Sequence, residues 1–213
     1  ISGVKEIERK SLVHTLNMRA SAIKVAKEMD KKYKDLNLIV AHLGGGLSLS
    51  LHKKGRMVDV VTDHEGAFSP ERSGVLPSEA LANFCYENDK DVVKQMLRGK
   101  GGLISYLNTN DAREVEKMIE NGDEYAKLIY EALAYQVAKN IGELSTVVNG
   151  SVDAIIITGG MAYSKLLTGW ITERVKFIAP IVIVPGENEL EALANGGLRV
   201  LKGEEKVHRF LGE

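Results

Sequence analysis

Three stretches of this sequence carry an apolar run straight into glycine: "AHLGGG" (Ala41–Gly46), "IITGG" (Ile156–Gly160) and "IVPGEN" (Ile183–Asn188). At such strand-to-turn junctions backbone N–H groups point outward together, and the missing side chains let an anion approach the main chain. Neither GxxxxGK[ST] nor a GxGxxG following a strand is present, so none of the three is a Walker or dinucleotide fingerprint. A glycine run can also simply make a turn, but the recurrence favours an anion site. Gly44, Gly45 and Gly46 fit a nest for the phosphates of a nucleotide.

The polar residues near these turns offer matching chemistry. Arg72 stands in the loop "FSPERSG" and not on a helix face. Its planar fork suits a phosphate or carboxylate, and from a loop that reaches Gly44–Gly46 it would clamp a transferring group; a surface arginine without a role is the plain alternative. His14, in "SLVHTLNMRA", has the apolar neighbours of a hydrogen-bonded structural histidine. His42 precedes the triple glycine and His64 follows Asp63, whereas His52 and His208 sit in polar turn or tail sequence with no chemical signal. Glu187, Glu189 and Glu191 open the last predicted helix, where carboxylates complement the helix dipole. Facing phosphates, they would also suit Mg2+, which takes one or two carboxylates plus phosphate oxygens.

The elements that must position these groups follow from periodicity. Apolar residues at Leu12, Leu16, Ala20, Ile23 and Ala26 predict a helix over Ser11–Tyr33. Strands are predicted at Leu38–Leu43, Leu47–Leu51 and Met57–Val61, the second, "LSLSL", alternating as a half-buried strand does. "HKKGR" is their hairpin turn. Short amphipathic helices follow in "SEALANFCYEN", "DVVKQMLRG" and "AREVEKMIENG", then one long helix over Asp123–Val148. "DAIIITGG" and "PIVIVPG" are continuous apolar strands of the kind buried in a parallel sheet, separated by one helix and followed by another. The order β-β-β-α-β-α-β-α predicts a mixed sheet flanked by helices, the ribonuclease H-like fold of the actin, Hsp70 and sugar kinase superfamily.

Composition narrows the setting. With 28 basic and 29 acidic residues among 213, the chain gives no electrostatic reason to expect nucleic acid or an anionic membrane as partner. The one cysteine, Cys85, leaves no internal disulfide, fits a reducing cytoplasm, and at helical spacing among apolar neighbours is expected to fill core.

Read as a set, "ERKSLVHTLNMRASA", "HLGGGLSLSLHKKGRMVDV", "FSPERSGVLP", "NTNDAREVEKMI", "IIITGGMAYS" and "PGENELEALANGGLRVL" resemble the butyrate kinase branch of the acetate kinase family. Where acetate kinases read FHGTSH, HLGNG and a GIGEN-like loop, this sequence has VHTLNM, HLGGG and GMAYS. The resemblance implies reversible phosphoryl transfer from ATP to butyrate or a related short acid, with Mg2+, in a cytoplasmic homodimer. It implies that His14 and Arg72 contact the transferring phosphoryl group and that His42, Gly44, Gly45 and Gly46 form the phosphate loop. It assigns Asn110, Asp111 and Arg113 to a nucleotide-contacting segment, although Ala112 stands where acetate kinases carry an aromatic. Gly159, Gly160, Met161 and Ala162 become the adenosine loop, and Glu189 the magnesium-associated glutamate. It further implies that residues 1–35 are a helix entering from a first lobe, and 36–213 the nucleotide-binding domain, so that this chain alone binds nucleotide but turns over slowly or not at all. A sugar kinase of the same superfamily and a non-catalytic nucleotide-binding module are the other readings.

Overall fold

In the computed structural model, which describes residues 1–187, 189–204 and 206 with the backbone alone at 189 and 191, the three predicted hairpin strands come first. Asn37–Leu43 (β1), Leu47–Lys53 (β2) and Arg56–Val61 (β3) pair antiparallel in sequence order. Ala154–Gly159 (β4) then joins β1 in parallel, and Ile181–Pro185 (β5) joins β4 in parallel. The sheet order among the described residues is β3-β2-β1-β4-β5. This is the ribonuclease H-like arrangement that the order of elements predicted.

Two apolar layers hold the sheet. Ile39, Ala41 and Leu43 of β1, Leu47, Leu49 and Leu51 of β2, and Ile155 and Ile157 of β4 face one side. They pack there against the long helix Glu124–Thr146 and the helix Lys165–Val175. The alternate residues Leu38, Val40, Ala154 and Ile156 face the other side and meet Met18, Ala22, Val25 and Ala26 of the first helix, Thr15–Glu28 (α1). The helix predicted as an entering arm is thus packed on the sheet. It is shorter than its periodicity implied, because Asp30 takes a φ of 54° and a 3-10 turn, Tyr33–Asp35, follows.

Between β3 and the long helix the chain forms Ser78–Glu87 (α2), Lys90–Leu97 (α3), Leu103–Leu107 (α4) and Ala112–Glu120 (α5); the long helix is α6, Lys165–Val175 is α7 and Glu189–Leu201 is α8. The sequence does not predict α4, since five residues between Gly102 and Asn108 carry too little periodicity. Asp111, Asp123 and Ser164 cap α5, α6 and α7 by accepting backbone N–H groups, each cap of the kind worth about 1 kcal/mol. Among the described residues, no helix is long and apolar enough to cross a membrane.

Two expectations fail for identifiable reasons. Cys85 is exposed, because none of the residues of α2 is buried: this helix meets α3 and does not lie on the sheet. The serines of "LSLSL" do face away from the main core, but not toward water, since α1 covers them: Ser48 and Ser50 are 2% and 0% exposed. His52, which carried no signal in the sequence, is fully buried on the same side. Its Nδ1 lies 2.6 Å from the Tyr33 hydroxyl and its Nε2 2.8 Å from Ser50 Oγ. His208 lies outside the described residues.

Burial, then the charge of Arg19, lowers the His52 pKa to about 4. The unfolded chain, with an ordinary histidine pKa of about 6.5, therefore takes up this proton first as pH falls. The resulting stability is full above about pH 6.5, declines below it and levels off near the folded value, which amounts to about 2 kcal/mol lost at pH 5. Urea unfolding of the wild type and His52→Gln at pH 7.5 and 5 should reveal a shallower pH dependence in the variant by that amount. An equal slope in both would refute it.

Gly159 has a φ of 93°, and a Cβ there would stand 2.3 Å from the Leu43 carbonyl oxygen. Gly142, inside α6, has no atom within 4 Å of a Cβ. Thermal denaturation should accordingly place Gly159→Ala at least about 2 kcal/mol below the wild type. Gly142→Ala should gain about 0.5–1 kcal/mol from helix propensity.

Candidate functional site

The three glycine turns meet at one end of the sheet. Gly159 and Gly186 exchange backbone hydrogen bonds of 3.2 and 3.0 Å, and Gly159 lies directly against Leu43, the residue before the triple glycine. The parallel pairing of β1, β4 and β5 accounts for this, since parallel strands end together. Ligands in open α/β sheets take such a position, beyond the carboxyl ends of the strands.

Gly44, Gly45 and Gly46 do not adopt positive φ; what they supply is room. A Cβ on Gly46 would stand 2.2 Å from Arg72 Nη1 and 3.0 Å from Arg72 Nε, so Arg72 lies flat against the loop. Ser69, on the same segment as Arg72, donates to the Gly45 carbonyl at 2.7 Å and ties the two loops together. The reach of Arg72 to Gly44–Gly46, required for a clamp, is therefore present.

His14 precedes α1, and its Nδ1 lies 2.8 Å from Ser48 Oγ. Its ring stacks on that of His42 with centroids 3.9 Å apart and 14° between the planes. His14 and Arg72 line one cavity of about 180 Å3 together with Leu12, Val13, Leu47, Ser48, Asp63 and Arg98. Two residues well separated in sequence thus face the same space.

His42 is fully buried, and burial first, then the nearby His14 ring, lowers its pKa to about 3. The ring is therefore neutral near pH 7. Asn17 Nδ2 lies 2.9 Å from His42 Nδ1 and donates to it, which leaves the ring hydrogen on Nε2. That Nε2 lies 3.3 Å from Glu187 Oε1 and beside Gly44, but lacks the geometry of a hydrogen bond. With the ring neutral, the contact is not an ion pair. Arg72 Nε is likewise buried without a hydrogen-bond partner. The triple glycine is flanked by two side-chain N–H groups that no acceptor among the described residues satisfies. An unmet buried donor costs about 1–3 kcal/mol, and a phosphate oxygen at the loop would satisfy both.

Asp63 and Arg98 were not singled out by the sequence. Asp63 Oδ2 accepts from Arg72 Nη1 and, at 2.8 Å, from Arg98 Nη2. Burial works to raise its pKa, but the Arg98 hydrogen bond and the charges of His64, Arg72 and Arg98 bring it below the ordinary aspartate value. His64, half exposed, stands 3.8 Å from Asp63. Asn17 and Ser48 were missed as well. Their signal was the polar stripe of His14, Asn17 and Ser21 on a helix otherwise apolar toward the sheet, with serines opposite.

The remaining candidates sit as follows. Met161 and Ala162, in the 3-10 turn Gly160–Tyr163, are buried in the main core, so they can offer a nucleotide little beyond main chain, while Gly160 is exposed. Asp111 caps α5 and pairs with Arg113, a mostly exposed side chain, at 2.6 Å; Asn110 precedes the cap. Glu116 of α5 accepts from Ser164 and from Tyr130, joining this segment to the Gly160 turn. The Glu189 side chain lies outside the described residues, and Glu187 precedes α8 instead of opening it. Glu187 is the described carboxylate beside Gly44.

Solved structures share this architecture. An acetate kinase from Porphyromonas gingivalis matches with a TM-score of 0.82 at 20% identity, over 93% of this chain and 61% of that one. A propionate kinase from Francisella tularensis matches at 0.78 and 23% identity, over 86% and 54%. An acetate kinase from Entamoeba histolytica matches at 0.80 and 20% identity, over 89% and 58%. The chain thus spans just over half the length of these proteins. At such identities the likeness establishes the fold, whereas residues 8–177 match the sequence of the acetokinase family itself. This chain belongs to the acetokinase family.

Proposed function

We propose that this chain forms the nucleotide-binding part of a short-chain carboxylate kinase, and that butyrate or a closely related acid is its acceptor. The supporting observation is the pair of N–H groups, His42 Nε2 and Arg72 Nε, that find no acceptor among the described residues on either side of Gly44–Gly46. Phosphates of ATP at that loop would receive both. The preference for butyrate is supported by VHTLNM, HLGGG and GMAYS, the segments that depart from the acetate kinase pattern.

In the reaction, a carboxylate oxygen of the acid attacks the γ-phosphorus as the bond from that phosphorus to the ADP oxygen breaks. ADP departs with the electron pair and an acyl phosphate remains. No protein nucleophile or strong base is needed. The chain's own work is positioning and charge stabilisation. The main-chain N–H groups of Gly45 and Gly46 and the His42 ring hold the chain of phosphates, Gly44 N–H closing the loop on the Gly46 carbonyl at 3.2 Å, and Arg72 and His14 face the group in flight. The turn at Gly159 and Gly160, with Asn110, Asp111 and Arg113 close by through Glu116, would receive the nucleoside. Magnesium fits the donor set as an ion held by phosphate oxygens and one carboxylate; Glu187 beside Gly44 is suited to that part, with Glu189 the sequence's own candidate. When bound, it would neutralise phosphate charge. A cytoplasmic setting and assembly as a homodimer complete this reading, the first from the single cysteine and the second from the resemblance to butyrate kinases.

The test is hydroxylamine trapping of acyl phosphate from MgATP and a series of acids, with the intact protein. Butyrate should outperform acetate. Arg72→Ala should lower kcat by about 10²–10³, the scale for loss of one preorganised donor, and leave the affinity for ADP, which lacks the transferring phosphate, nearly intact. Hexose-dependent ADP release without hydroxamate would overturn the reading. So would an Arg72→Ala enzyme of undiminished kcat.

A further inference from the structure

The loop that carries Arg72 and the end of α3 are zipped together by their backbones. Arg72 and Arg98 form an isolated antiparallel bridge, flanked by Ser73 N–H to the Leu97 carbonyl at 3.2 Å and Gly99 N–H to the Glu71 carbonyl at 2.7 Å. Their side chains leave this pairing side by side and share a single oxygen of Asp63. Two guanidinium groups are drawn together across one carboxylate, and all three residues border the cavity that His14 lines.

We propose that Arg98 is a second anion-binding group of this site, and that Asp63 is the positioning residue that aims Arg72 and Arg98 together at a dianionic phosphate. This inference rests on the kinase reading and adds two residues to it. Each arginine spends one N–H on Asp63, and each guanidinium has further donors in a fixed planar fork. Asp63 is 5% exposed and cannot swing into solvent, so it acts as a fixed strut. Arg98 is half exposed, open to a ligand entering the cavity. One carboxylate against two guanidinium groups leaves a net positive charge, which suits a phosphoryl group, whether in an acyl phosphate or as free phosphate.

The experiment is an NMR titration of the protein with inorganic phosphate, butyryl phosphate and, separately, adenosine, which carries no phosphate. Arg98→Ala and Asp63→Asn should weaken both phosphates by about tenfold or more, the scale of one charge-assisted hydrogen bond, with adenosine unchanged. Arg98→Lys should recover part of the loss. Butyryl phosphate weakened with inorganic phosphate unaffected would assign the pair to the acyl phosphate, and the reverse to free phosphate; either supports the clamp. Unaltered binding of both phosphates in Arg98→Ala would overturn this inference and leave the kinase reading standing. Equal loss of phosphate and adenosine in the variants would also overturn it, since that marks a scaffold role. A wild type that binds neither adenosine nor phosphate would overturn the kinase reading and the inference with it.

Discussion

A buried N–H without an acceptor is among the costlier features a fold can carry. Among its described residues this chain carries two on side chains, His42 and Arg72, and both border the triple glycine. Everything around them serves to hold them in place. Asn17 fixes the His42 tautomer from one side. Asp63 fixes the Arg72 fork from the other. The parallel strands bring the three turns to one level, and the bare loop between the two side chains leaves the space open. Were the ring flipped or the arginine released to solvent, the cost would vanish, and with it the shape of the anion site.

The layer beneath α1 explains how such a site is supported. A helix resting on a sheet ordinarily makes an apolar seam, and the lower part of this one does, through Met18, Ala22 and Val25. Toward the carboxyl end of β1 the seam turns polar: His14 with Ser48, Asn17 with His42, and Ser21 with Thr158 at 3.4 Å. The bonds are directional, so they specify where α1 sits along the strands in a way that apolar packing alone does not. One helix is therefore anchored by its apolar residues and registered by its polar ones.

The fold was legible because its signals are local. Glycine-terminated strands, a leucine–serine alternation and a long period of apolar residues in α6 each point one way. What the alternation could not convey is which neighbour covers the serines, because the covering helix lies some thirty residues upstream and the pairing is tertiary. The same limit hid His52, whose partners Tyr33 and Ser50 come from a 3-10 turn and its own strand. Asp63 and Arg98 were illegible for a related reason. Each looks like an ordinary charged residue at the end of an element, and only the backbone pairing of two loops makes them partners of Arg72. Cys85 failed in the opposite direction: helical spacing promised a core that α2 does not reach.

That exposed helix has a consequence for how stability is distributed. α2 has ten residues, below the length at which an isolated helix holds itself together in water, and it hides none of its side chains. α6, by contrast, runs 23 residues with nine of them sealed in the interior. Opening α2 exposes little apolar surface, so it separates from the global transition as a low-energy subunit of the fold. Its amide hydrogens trade with solvent long before those of the sheet, and the segment between Leu76 and Asn88 opens to a protease while the sheet stays closed.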